Sequence, residues 1–460
     1  MSKSEKLYDG ITEVKDYLVE QARTYPFSRK KQRLRKLVVG VLAAGVALAF
    51  VVGSLPPKSP ADVETPNAPA SLFPTAYALS LPDYQPTTDV TVDYERQMEG
   101  YLRAVIPALL TGEEGENTLC SPLNVYMALA MLTEMTAGET RQQLLDLLGC
   151  PDLESARDSA RTLWSANYRN GEGTRRVLGS SLWLNQAYSF RQETLDALAQ
   201  HYYAASYSGE MGDTAFDQAL HSWLNQHTGG LLQDQVADIT LDPGDLMNLY
   251  TTVYFKGRWD SGFSPQRTTR EDFQSSAGAV SCDMMHKSTE TRYYWGENFS
   301  AVFLSFETGG MWFVLPDTGK TPADLLADGQ VMDFLMTQRR WENAKYLTVH
   351  MSVPKFDITT QGQLKEPLQA LGVTRVFDPE TADMSPLSSM PAYLSQLAHG
   401  VRVRIDEEGC EAAAYVEGLT TPTAAPPPEE EVYFTLDRPF LFLVTGAEDL
   451  PLFVGIVNQP

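Results

Sequence analysis

The segment Leu37–Leu55, LVVGVLAAGVALAFVVGSL, is nineteen residues long and carries no charge, enough to cross a bilayer as one helix. The stretch SRKKQRLRK just before it places six basic residues between Arg29 and Lys36. Basic flanks stay on the cytoplasmic side, so the chain after residue 55 is expected outside the cell. A cleaved signal peptide has a shorter apolar run, with a small-residue cleavage site close behind it. Here the best such site, Ala76-Tyr77-Ala78, lies more than twenty residues downstream, and Pro56 and Pro57 follow the run instead. A buried core helix would not combine an all-apolar run with a basic cluster on one flank. The expectation is an uncleaved, single-pass anchor in the cell membrane, N-terminus cytoplasmic.

Four segments follow from this. Residues 1–36 form a short basic cytoplasmic segment with one weakly amphipathic stretch, Lys6 to Ala22, too short for a catalytic domain. Residues 37–55 are the anchor. Residues 56–89 hold eight prolines among Ala, Thr and Ser, have no period with which to build a core, and are expected to be an extended extracellular stalk. Residues 90–460 have globular composition throughout.

Charge and cysteines then narrow the function. The formal net charge is -23, and residues 1–36 contribute ten Lys and Arg against five Asp and Glu, so the remainder is more acidic still. Such a surface cannot displace phosphate counterions, and no nucleic acid is expected as a partner. The four cysteines (Cys120, Cys150, Cys282, Cys410) show neither a CxxC pair nor metal-ligand spacing. The six histidines are dispersed, with no HExxH, GxSxG or phosphate loop, so no catalytic residue, metal or cofactor is expected.

Within 90–460, YERQMEGYLRAVIPALL has helical spacing of its apolar residues. Ser121-Pro122 opens a second helix, Ser as the cap and Pro in the first turn, where its missing N–H costs nothing. Thr136 and Glu139 give a capping-box pattern for a third helix that Gly149 can close. Strand signals follow in VLGSSLWLN, LYTTVYFKG, MWFVLP, TVHMSVPKFDI, GVRVRIDE, VYFTL and PFLFLVTG. Helices early and strands late predict an α+β domain with large antiparallel or mixed sheets, not a βαβ repeat.

Several blocks, taken in order, resemble the serpin family. NTLCSPLNVYMALAMLTEMTAGETRQQLLDLLG is similar to its early helices, with Asn117, Ser121 and Pro122 in the Asn-x-x-x-Ser-Pro pattern. VYFKGRWDSGF, SCDMMHKS, FVLPDTGK, VPKFDI followed by LGVTRVF, LAHGVRVRIDEEGCEAAA, RPFLFLV and PLFVGIVNQP match further blocks over residues 90–460. The resemblance implies the serpin fold, with a large central β-sheet, further sheets, a helical cluster and an exposed reactive loop. It also implies a monomer that inhibits serine proteases as a suicide substrate. The protease cuts the loop and is acylated, and the loop's N-terminal arm then inserts as a new strand in the central sheet.

An inserting arm must carry small or apolar residues at one parity. From Gly409 that parity reads Cys410, Ala412, Ala414, Val416, Gly418 and Thr420, while Glu411, Ala413, Tyr415, Glu417 and Leu419 occupy the other. Glu407, Glu408 and Gly409, with Cys410, Glu411 and the run Ala412, Ala413, Ala414, match the family's hinge. Cys410 stands where Thr or Ser is usual, and Tyr415 is a larger departure that could slow insertion. The resemblance also assigns control of sheet opening to Ser121, Asn124, Thr251, Trp259 and His399, with Thr251 in place of the usual Asn.

Family spacing puts the reactive bond near Thr423, Ala424 and Ala425, with Thr420–Thr421 behind, since Pro422 and Pro426–Pro428 disfavour the neighbouring bonds. Small residues there imply proteases with small primary pockets, elastase-like or subtilisin-like. No Lys or Arg offers a trypsin-like pocket its cation. The alternative is a non-inhibitory serpin acting as a binding module, carrier or cleavage sensor at the cell surface.

Overall fold

The first long helices form where their sequence demands it. Helix α1 (Tyr94–Leu109) buries Met98, Leu102, Val105 and Ile106, the spacing of one helical face. Helix α2 (Pro122–Met135) begins at Ser121, whose hydroxyl accepts the Asn124 N–H and whose own backbone is extended. Every residue of α2 is buried. Helix α3 (Gly138–Leu148) ends on Gly149 in the left-handed conformation, as expected. Its start differs from the capping box. The Thr136 hydroxyl donates back to the Leu132 carbonyl at 2.7 Å, and Ala137 becomes the cap, its N–H bonded to the Asp383 carbonyl at 3.0 Å. A tertiary acceptor has replaced the local one. Then come α4 (Leu153–Asn167), α5 (Gln192–Tyr202), α6 (Thr214–His227) and the single turn α7 (Gln233–Val236).

This computed structural model describes residues 77–83, 94–110, 112, 115–170, 175–410 and 430–460. All of them belong to one unit of the chain, Thr65–Pro460. The expected anchor at 37–55, the basic segment 1–36, Glu411–Ala414 and the expected bait Thr423, Ala424 and Ala425 lie outside the described residues. Among the described residues no helix is long and apolar enough to cross a membrane.

Two mixed sheets carry the fold. The first comprises β1 (Ala78–Ser80), β3 (Arg169–Asn170), β4 (Arg175–Asn185), β5 (Ala204–Gly209), β6 (Met247–Arg258), β12 (Phe356–Gln363), β13 (Ala398–Ile405) and β14 (Gly409–Cys410). Their spatial order is β1-β5-β4-β6-β14-β13-β12, with β3 beside β4. The second comprises β2 (Thr118–Cys120), β7 (Thr269–Ser275), β8 (Gly278–Trp295), β9 (Phe299–Ser305), β10 (Gly310–Pro316), β11 (Ala344–Pro354), β15 (Glu431–Thr435), β16 (Phe440–Thr445) and β17 (Pro451–Val457). A large apolar core joins both sheets to α1–α5. A smaller one, around Trp183, Tyr207, Phe216 and Trp223, lies between the first sheet and α6. Tyr77 packs on Phe216 there, so seven residues of the expected stalk, 77–83, reach the folded body, and β1 caps the sheet edge at β5.

The first sheet is interrupted at its centre. Strand β6 pairs with β4 from Met247 to Lys256, but on its other side, among the described residues, only Gly257 and Arg258 have a strand partner. Strand β13 pairs with β12 over its whole length, and on its inner side only Ile405 is paired, to Cys410. Below the two-residue strand β14 a cavity of about 1110 Å³ separates β6 from β13. Two strand edges thus face each other with, among the described residues, no strand between them below Cys410, an arrangement that favours addition of a strand.

Candidate functional site

The gap has a floor, a top and a roof, each fixed by different residues. Its floor is the first turn of α2, which holds both lips. The Ser121 N–H donates to Nε2 of His399 on β13 at 3.1 Å. One turn position on, the Asn124 side-chain amide donates to the Thr251 carbonyl of β6 at 3.2 Å, and the Thr251 hydroxyl donates to the Asn124 carbonyl at 3.4 Å. Among the described residues, the buried Asn124 Oδ1 has no hydrogen-bond partner. Burial pushes the His399 imidazole down to about 4, which keeps the ring neutral and its Nε2 an acceptor. Four of the five residues expected to control sheet opening therefore converge at this level of the gap. The threonine at 251 uses main-chain carbonyl and hydroxyl where an Asn side chain would have served.

The top is the turn between β13 and β14. Asp406 N–H donates to the Gly409 carbonyl at 3.0 Å, and Asp406 Oδ1 accepts the N–H groups of Glu408 and Gly409. The Trp259 N–H donates to the Glu408 carbonyl, its indole N–H to the Asp406 carbonyl, and the Phe263 N–H to the Glu407 carbonyl. Trp259, stacked on Phe306 with ring centroids 4.5 Å apart, is thus the fifth expected residue, placed at the mouth of the gap. Glu407 is held by Lys355 Nζ at 2.7 Å and by the Thr268 hydroxyl at 2.8 Å. Burial raises its carboxyl, but these two donors outweigh it and leave it below the usual range. Gly409 lies so close to β6 that a Cβ would sit 2.1 Å from the Gly257 carbonyl oxygen. Cys410 follows, buried in the gap.

The roof is α6 and the connection behind it. His227 at the end of α6 is buried, stacks on Trp223 and bonds through Nδ1 to the Trp223 carbonyl at 2.8 Å. A side chain at Gly179 on β4 would meet its ring at 2.5 Å, so the helix rests directly on the sheet. Sequence reasoning missed Lys355, Thr268, Asp406, His227 and Gly179, since none carries a local signal.

Two Ser-His-Glu sets do assemble, on the second sheet. His286 joins Ser352 at 3.0 Å and Glu271 at 2.8 Å, while His350 joins Ser288 at 2.8 Å and Glu431 at 3.1 Å. Both stand on β8 and β11 of the second sheet, away from the residues that line the cavity. Among the described residues no group of three or more His, Cys, Asp and Glu side chains is placed to hold a metal ion.

A large sheet split at its centre by a gap, with Gly409 and Cys410 closing one end of it, is the setting in which the expected residues meet. The family model "Serpin (serine protease inhibitor)" matches residues 104–460, and the chain belongs to the serpin family. It is 27% identical over 445 residues to an uncharacterised serpin-like protein of Thermococcus kodakarensis, covering 91% of this chain and 98% of that one. It is 28% identical to serine proteinase inhibitor A3K of Cavia porcellus, covering 79% and 89%. Among solved structures, the thermophilic serpin tengpin in its native state superposes with a TM-score of 0.71 at 23% identity, covering 83% of this chain and 98% of that one.

Proposed function

We propose that this chain is a suicide-substrate inhibitor of serine proteases with small primary pockets, held outside the cell by the anchor at Leu37–Leu55. The observation that carries the reading is the gap between β6 and β13, already occupied at its mouth by Gly409 and Cys410.

Register supports it. Continuing the observed pairs Cys410–Gly257 and Cys410–Ile405 along an antiparallel strand sets Ala412 between Phe255 and Val403, and Ala414 between Val253 and Val401. Those partners are apolar and on the core side, so the small parity of the arm meets the side that has no room for charge. On the outer side Glu411 comes between Lys256 and Arg404, and Tyr415 comes opposite Gly400, where the neighbouring strand carries no side chain. Tyr415 therefore has a place in the strand.

The chemistry needs no catalytic group from the inhibitor. The protease serine attacks the carbonyl of Thr423 or Ala424, the amine of the next residue leaves, and an acyl-enzyme forms. Insertion of the arm then makes ladder hydrogen bonds worth about 1 kcal/mol each, on the order of 10 kcal/mol in all. At about 3.3 Å per residue the thirteen-residue advance from Cys410 to Thr423 carries the acyl-enzyme roughly 40 Å. Distortion of the tethered protease before water hydrolyses the ester makes the complex permanent.

The anchor and stalk fit local protection of the producing cell. Fractionation tests that part: the full chain is expected in membranes and to resist alkaline extraction. Recovery of a soluble form lacking residues 1–55 would overturn it. Mixing with elastase-like and trypsin-like enzymes tests the inhibitor. Complexes are expected with the former only, and cleavage by every enzyme without a complex would instead assign a non-inhibitory role as binding module, carrier or sensor.

A further inference from the structure

At one end of the first sheet, strands β3, β4 and β6 bring like charges into register. Arg176 of β4 stands opposite Arg169 of β3, and Arg175 of β4 stands opposite Lys256 of β6. Cations directly opposite one another on neighbouring strands destabilise a sheet unless something neutralises them. Among the described residues, none of the four makes an ion pair with an acid. Arg175 finds instead the neutral Oδ1 of Asn170, at 2.9 Å from Nε and 2.7 Å from Nη2. The arginines of α4 differ: Arg157 meets Glu134 and Glu154, and Arg161 meets Asp158. The chain has 59 Asp and Glu against 36 Lys and Arg, so acids to pair with were not scarce.

Arg176 is the anomaly within this corner. It stands opposite the buried Phe255 and continues the face of β4 on which Leu178, Leu182 and Leu184 enter the main core. The residue is only 5% exposed, and among the described residues its Nε and Nη1 have no hydrogen-bond partner. Burial, with Arg169 adding to it, pulls the guanidinium down to about 10, so the charge remains at neutral pH. A buried charge is costly unless it is paired. A guanidinium presents several N–H groups at once, which suits it to oxyanions. The unneutralised corner and the donors without acceptors call for the same thing, an anion from outside the chain.

We propose that Arg176 and Arg169, with Arg175 and Lys256 adding to the local potential, bind one small tetrahedral oxyanion of the inorganic phosphate class at this corner. Arg169 is exposed and Arg176 is buried, so the pair offers an entering ion one cation at the surface and one beneath it. That depth suits a compact ion and not a polymer. Neutralising both guanidiniums relieves the repulsion across the β3–β4 pair and the cost of burying Arg176, so the ion stabilises the folded chain. The site is separate from the gap and asks nothing of the reactive loop.

The test uses the full chain in detergent with inorganic phosphate as the probe, against chloride at equal ionic strength. Equilibrium dialysis with radiolabelled phosphate is expected to show one saturable site per chain. Phosphate at about tenfold excess over its dissociation constant is expected to raise the melting temperature by about 2 °C. Arg176→Met, which removes the charge and keeps most of the volume, is expected to weaken binding about tenfold, the effect of losing a charge-assisted contact. Arg169→Gln is expected to weaken it less, and Arg292→Gln, at an exposed cation of the second sheet, to leave it unchanged. Competition by sulfate but not by glycerol phosphate assigns the free ion, and competition by both assigns a phosphomonoester; either result keeps the site. No saturable binding to the wild type, or equal binding to Arg176→Met, overturns it. Should Arg176→Met not fold, an unchanged affinity in Arg169→Gln overturns it equally. Glu172 lies outside the described residues, and phosphate binding that appears only in Glu172→Gln would assign the neutralising charge to that carboxylate and overturn the proposal.

Discussion

Ser121 and His399 meet across the floor of the gap, the main-chain N–H of one donating to the imidazole Nε2 of the other at 3.1 Å. They are 278 residues apart in sequence and join the first turn of α2 to β13. The bond exists only while the ring is neutral, because a proton on Nε2 would leave two donors facing each other.

That dependence has a sign. His399 is held down to about 4 in the folded chain, against about 6.5 for an unfolded histidine. Its neutral form therefore contributes stability that is complete above pH ~6.5 and is lost as pH falls toward 4. The loss is on the order of 3 kcal/mol. His227, also held at about 4, acts in the same window, whereas Glu407, with a lowered carboxyl, weakens the hinge only below the ordinary carboxylate range. Denaturant midpoints measured from pH 7.5 to 4.5 are expected to fall steadily, and His399→Gln to remove part of that slope. A pH-independent midpoint in the wild type would contradict the assignment.

At Gly409, in the expected hinge, the lack of a side chain is enforced by contact, with the Gly257 carbonyl 2.1 Å from where a Cβ would stand. Gly409→Ala is expected to drive Gly409 and Cys410 away from β6 at a cost of about 1–3 kcal/mol. Hydrogen exchange would report it as faster exchange at Gly257 and Cys410, with the β4–β6 ladder unchanged. Protection equal to wild type would show that the hinge is not seated as described.

Lys355 neutralises a Glu407 side chain that is only 12% exposed. Lys355→Ala is expected to lower stability by about 1–3 kcal/mol, because it removes the charged donor and leaves the largely buried Glu407 carboxylate with the Thr268 hydroxyl. The double variant Lys355→Ala, Glu407→Gln should recover part of that loss, which thermal denaturation of the four proteins in the cycle measures. No recovery would mean that the pair is not coupled.

Parity along the arm makes a sharper comparison. Ala414→Glu would bring a charge to the core side between Val253 and Val401, at a cost of several kcal/mol unless paired, while Ala413→Glu would point outward. The first is expected to be cut by the protease without forming a complex. The second is expected to retain most inhibition. Equal behaviour of the two, scored by moles of inhibitor consumed per mole of protease, would contradict the register.

What could be read in the sequence was local. Ser121 and Pro122 marked the start of α2 because cap and first-turn chemistry depend on neighbours, and Gly149 marked the end of α3 for the same reason. Thr136 and Glu139 misled because two other acceptors, the carbonyls of Leu132 and Asp383, were within reach in the folded chain. The family blocks pointed to Trp259, Asn124 and His399 but not to what they touch. Thr268 lies 139 residues from Glu407, a separation over which no spacing rule operates. The docking of Tyr77 on Phe216 was hidden because 77–83 shares the proline-rich composition of its surroundings.

The most direct measurement mixes the purified protein with neutrophil or pancreatic elastase, subtilisin and trypsin, then combines denaturing gels with mass spectrometry of the released C-terminal peptide. The expected result is a denaturant-resistant complex with elastase or subtilisin, none with trypsin, and a cut between Thr420 and Ala425. Cleavage in that stretch by every enzyme, with no covalent complex under any condition, would contradict inhibition and leave a serpin that serves another purpose.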